Sequence, residues 1–63
     1  MTEKKMAELA ALSICKNWSF EQLKYSDYLY GKEALAHDVW DLVEEAREIG
    51  MIRFNQKYEL EQS

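Results

Sequence analysis

The 63-residue sequence predicts an all-α fold: a small three-helix domain with a short C-terminal extended segment or hairpin. Three observations carry that expectation. Good helix formers fill the stretch from Thr2 to Asn17, a capping signature spans Ser19 to Gln22, and apolar residues recur at steps of three and four between Leu35 and Ile49. No proline interrupts these stretches, and the two glycines, Gly31 and Gly50, fall where helices should end.

The first helix has Thr2 as its N-cap and Glu3 in its first turn. Ala7, Ala10, Ala11, Ile14, Cys15 and Trp18 share one face, which is expected to pack on the core. Leu9 and Leu12 project to the other side, between Lys5 and Lys16, and are expected to be covered by a second copy or a partner. The second helix starts at Phe20, because Ser19 and Gln22 make a capping box and Trp18 with Leu23 a hydrophobic staple. It should run to about Tyr30, where Gly31 can adopt the left-handed conformation.

In the third helix Leu35, Val39, Leu42, Ala46 and Ile49 form a stripe that Ala36, Trp40 and Val43 widen, with Trp40 facing the core. Gly50 stops it. Beyond the glycine Ile52, Phe54, Tyr58 and Leu60 occupy alternate positions, the pattern of a half-buried strand or of a hairpin turning near Asn55-Gln56. A helix through Met51, Phe54 and Tyr58 is the alternative.

With 48% hydrophobic residues and two Trp, four Tyr and two Phe, the composition is that of one folding domain over residues 1–63. So short a chain buries only about 60% of its unfolded surface, so a second subunit, most simply in a homodimer, would add stability. A single cysteine, Cys15, excludes an internal disulfide and fits a reducing compartment. No window approaches the ~20 apolar residues of a membrane span. The run from Leu9 to Cys15 is too short for a secretory signal, and Ile14 too bulky for its cleavage site, so a cytoplasmic location is expected.

Charge divides the chain. Residues up to Lys32 carry five lysines and four acids, whereas Glu33 onward carries eight acids and three basic residues, within a net charge of −4. The second half would repel phosphate, so nucleic acid is not an expected partner. Catalysis lacks its groups: the lone His37 and lone Cys15 lie in different helices, and there is neither a glycine-rich phosphate loop nor a zinc-spaced Cys/His cluster. His37 and Asp41 share a helical face, but a solvated histidine is the plainer reading. A non-enzyme with no metal or cofactor is expected.

Two further surfaces are candidates for interaction. Asp41, Glu44, Glu45 and Glu48 crowd the later turns of the third helix, where the macrodipole disfavours negative charge, and only Arg47 opposes them. They could meet a basic partner or solubilise an outer face. Tyr25, Tyr28 and Tyr30, bracketed by Lys24 and Lys32, could anchor a protein interface, stack on bases or pack in the core.

The segment from Phe20 to Leu60, with a helix ending Glu48-Ile49-Gly50-Met51-Ile52 before alternating residues, resembles the recognition helix and wing of winged-helix DNA-binding proteins. It departs from them in the acids Glu33, Asp38, Asp41, Glu44, Glu45 and Glu48, which suit a helix among phosphates poorly. As a whole, from Met1-Thr2-Glu3-Lys4-Lys5-Met6 to Tyr58-Glu59-Leu60-Glu61-Gln62-Ser63, the chain resembles the small accessory early proteins of lambdoid bacteriophages, whose reading frames between the exonuclease and excisionase genes include one of 63 residues. That resemblance implies synthesis in an infected enteric bacterium and a part in host takeover or the lysis–lysogeny decision. The function expected is regulation through protein binding; a degenerate winged-helix DNA-binding protein and an acidic nucleic-acid mimic are the alternatives.

Overall fold

A computed structural model describes residues 2–61; Met1, Gln62 and Ser63, at the two ends of the resemblance, lie outside the described residues, as do the side chains of Glu33 and Ala34. Among the described residues four helices follow one another: α1 (Glu3–Cys15), α2 (Phe20–Lys24), α3 (Glu33–Ile49) and α4 (Met51–Tyr58). The all-α class is as the sequence predicts. No strand occurs among the described residues, so neither the C-terminal hairpin nor the wing of a winged helix forms.

α1 opens on Thr2, whose hydroxyl accepts from the Lys5 amide at 3.2 Å. It closes two residues before the expected Asn17. Asn17 turns left-handed with φ of 56°, and the Trp18 amide returns to the Ser13 carbonyl at 2.9 Å. This is a Schellman closure with asparagine in the place glycine most often fills.

The buried face of α1 is rotated by about a quarter of a turn from the expected one. Ala7, Ala10, Leu9 and Ser13 lie inside, while Cys15 is exposed and Ala11 half-buried. Leu9 is only 7% exposed, so the chain itself covers the leucine expected to need a second copy, and Leu12 is half-buried. Ser13 enters the core at no loss of hydrogen bonding, because its hydroxyl donates to the Leu9 carbonyl at 2.8 Å. The chain exposes 4517 Å², against about 4,200 Å² for a folded monomer of this mass. The fold therefore has no large excess of surface that only a second subunit could cover.

α2 begins at the expected capping box: the Gln22 amide donates to the Ser19 hydroxyl at 3.2 Å and the Ser19 amide to the Gln22 side chain at 2.8 Å. It ends at Lys24, well short of Tyr30. The Ser26 hydroxyl donates to the Leu23 carbonyl at 2.8 Å, competing with the helical ladder there, and the chain continues through turns to Gly31.

α3 places Ala36, Val39, Val43 and Ala46 in the core, with Leu35, Trp40, Leu42 and Ile49 packed around them. Trp40 meets Phe20 edge-on at 5.7 Å and carries the Arg47 guanidinium over its ring at 5.5 Å. Gly50, with φ of 89° and ψ of 153°, is at once the C-cap of α3 and the N-cap of α4. That conformation is open almost only to glycine, and it turns the chain between two helices within one residue.

α4 replaces the expected extended segment. Phe54 is fully buried, Met51 and Tyr58 are half-buried, and Ile52 is 68% exposed. The spacing 51, 54, 58 is helical. A lone hairpin would leave its outer backbone groups unpaired with no third strand to receive them, whereas a helix satisfies its own. The end is another Schellman closure, with Glu59 left-handed and the Leu60 amide on the Asn55 carbonyl at 2.8 Å.

Candidate functional site

The tyrosine surface is set by the turns between α2 and α3. Leu29 is the only aliphatic residue between Lys24 and Lys32, and it is fully buried. The turn around it is closed by the Leu29 amide on the Ser26 carbonyl and the Lys32 amide on the Leu29 carbonyl, at 3.1 and 2.8 Å. With Leu29 drawn inward, both its neighbours face water. Tyr25, Tyr28 and Tyr30 are 63%, 57% and 77% exposed, which decides against the core-packing reading for all three.

Two of these rings are partly held in place. Tyr28 lies against Trp18, ring centroids 6.3 Å apart, and the Lys24 ammonium lies 5.2 Å from the centre of the Tyr25 ring. Tyr28 also forms one wall of a groove of about 300 Å³ whose floor is Leu9 and Leu12, with Lys5 and Glu8 on its rim. Two groups that the sequence suggested separately, the leucines and Tyr28, are thus adjacent. The volume suits one or two large side chains of a partner. Leu29 is the signal that could have revealed this arrangement, as the lone aliphatic in a run of polar and aromatic residues.

The acidic end of α3 is divided by a contact that the sequence did not disclose. Glu45 receives the Lys57 ammonium at 2.6 Å on one carboxylate oxygen and the Tyr58 hydroxyl on the other. The Lys57 bond, then the Tyr58 bond, holds the Glu45 carboxyl below the usual glutamate range. The same bonds to Glu45 raise Lys57 and Tyr58 above theirs. Glu45 is therefore a clasp between α3 and α4, not a free member of an interaction surface. Asp41, Glu44 and Glu48 remain exposed.

His37 is exposed, its ring 4.9 Å from that of Phe20. Among the described residues no group of three or more His, Cys, Asp or Glu could hold a metal ion, and every buried side-chain polar atom has a hydrogen-bond partner. No helix is long and apolar enough to cross a membrane among the same residues. What the exposed rings and the leucine groove offer chemically is contact: flat amphipathic area, hydroxyls that donate or accept, and a seat for apolar side chains. No family model, no curated protein and no solved structure matches the chain.

Proposed function

We propose that this chain is a non-enzymatic accessory regulatory protein that acts by binding another protein through the surface of Tyr25, Tyr28 and Tyr30. The observation that carries this reading is the exposure of three tyrosines within six positions, one of which, Tyr28, walls the groove floored by Leu9 and Leu12. Tyrosine supplies large contact area at small entropic loss, and exposed aromatic clusters of this kind serve as binding anchors. The resemblance to accessory early proteins of lambdoid phages supplies the setting: the cytoplasm of an infected bacterium, and a partner through which host takeover or the lysis–lysogeny decision is influenced. Self-association, expected from Leu9 and Leu12 together, now rests on Leu12 and the tyrosines.

The test is a tagged pulldown from infected cells with mass spectrometry, run with wild type and with a Tyr25→Ser, Tyr28→Ser, Tyr30→Ser variant. The variant should keep the wild-type melting temperature to within a few degrees and lose the partner. Duplex titrations belong beside it. Nanomolar, sequence-selective binding of DNA, or a partner kept by the triple variant and lost on Glu44→Lys with Glu48→Lys, would overturn the reading.

A further inference from the structure

A second groove, of about 630 Å³, runs between α1 and α4. On α1 it is walled by Lys4, Glu8, Ala11 and Cys15, residues at steps of four, three and four that make one stripe about three turns long. Neither the tyrosines nor the leucines of the proposed binding surface line it, and only Glu8 is shared. Its apolar part comes from Ala11, Cys15, Met51, Ile52 and Leu60. Ala11 is small enough for a neighbouring backbone to approach closely. Met51 adapts to irregular shapes, and Ile52 is an aliphatic side chain that folding leaves 68% in water.

The charged rim decides what fits. Glu8, Glu59 and Glu61 stand against the single ammonium of Lys4, and none of the three carboxylates enters an ion pair within the described residues. A second copy docked face to face through the same groove would bring an equally acidic rim against this one, and nucleic acid would bring phosphates, so both are repelled. A helix apolar on one face and carrying lysine or arginine beside it would satisfy floor and rim together. The three-turn stripe is matched by about 11–12 residues of such a helix. We propose that the α1–α4 groove seats a basic amphipathic helix of a partner protein, by helix-in-groove recognition.

The test uses the full chain and a synthetic 14-residue leucine–lysine amphipathic peptide as probe. Cys15, the single cysteine, is exposed and lines the groove, so the rate of its modification by a thiol reagent reports occupancy directly. Bound peptide should slow that reaction saturably and shift the amide resonances of Ala11, Ile52 and Asn55. Ile52→Gln, at a position already largely in water, should melt within about 4 °C of wild type and weaken binding about tenfold or more. The pair Glu59→Lys with Glu61→Lys should also weaken it, while Tyr28→Ser leaves it unaltered. The proposal is overturned if a serine-for-leucine peptide of equal charge binds as tightly, or if the shifts fall on Asp41, Glu44 and Glu48. It also fails if the groove resonances move with the chain's own concentration in the absence of peptide, which would assign this face to a second copy.

Discussion

The helical state of residues 51–58 makes opposite demands on two neighbours, Ile52 and Phe54, and substituting each by alanine tests it. In an extended segment the two would share a face and act alike. In α4 they part company, Phe54 being fully buried and Ile52 68% exposed. A buried phenylalanine cut to alanine loses about 3–5 kcal/mol through lost transfer energy and the cavity left behind. A chain of this length has about 3–9 kcal/mol of total stability, so Phe54→Ala should unfold much of the population or lower Tm by about 12 °C or more. Phe54→Leu, which keeps most of the volume, should cost about 1–2 kcal/mol and remain measurable. Full burial of an isoleucine is worth about 1.5–3 kcal/mol. Ile52 has roughly a third of that to lose, and alanine's helix propensity returns a few tenths. Ile52→Ala should therefore melt within about 4 °C of wild type. Thermal and urea melts followed by circular dichroism decide it. Comparable losses from Ile52→Ala and Phe54→Ala would refute the helix and restore the alternating segment.

The clasp at Glu45 predicts a pH dependence. Its carboxyl is held below the ordinary value of 4.5 in the folded chain, so its stabilisation is complete above that value and is lost as pH falls through the depressed one. Lys57 and Tyr58 are raised above 10.5 and 10.0, so their part is present below those values and fades as pH rises through the raised ones. Urea midpoints measured against pH should fall at both ends, and Glu45→Gln should flatten both limbs; unchanged limbs would remove the clasp. Ser19→Ala takes away one side of the capping box and should cost about 1 kcal/mol, read as a Tm lower by about 4–8 °C; a melt matching wild type would show that the box contributes nothing. Gly50→Ala meets no atom within 4 Å of the added methyl, so any loss is conformational: about 1–3 kcal/mol is expected from φ of 89° and ψ of 153°, and an unchanged urea midpoint would contradict that strain.

The local signals in the sequence were sufficient where the physics is local. Thr2 and Ser19 cap because a side-chain oxygen three residues from a free amide needs no distant help, and both caps form as read. The α3 stripe has a long enough period that only one face can be apolar, and Ala36, Val39, Val43 and Ala46 are inside. Gly50 ends α3 for a reason carried in its own backbone. The single cysteine and the uneven charge of the two halves are likewise properties of composition.

What required the tertiary structure is whatever depends on two elements meeting. α1 has apolar residues around much of its circumference, so which arc turns inward is settled by α3 packing against it, and that arc takes in Leu9 and Ser13 while Cys15 stays out. Residues 51–60 fit two periods at once, and the choice falls to the helix because the fold provides no partner strand and because Glu45, twelve and thirteen residues away, receives Lys57 and Tyr58. The tyrosines followed the same logic: their exposure rests on Leu29 reaching a core assembled from other helices. A periodic pattern states which residues want burial, but when more faces want it than one small core can cover, only the packing of the neighbours decides among them.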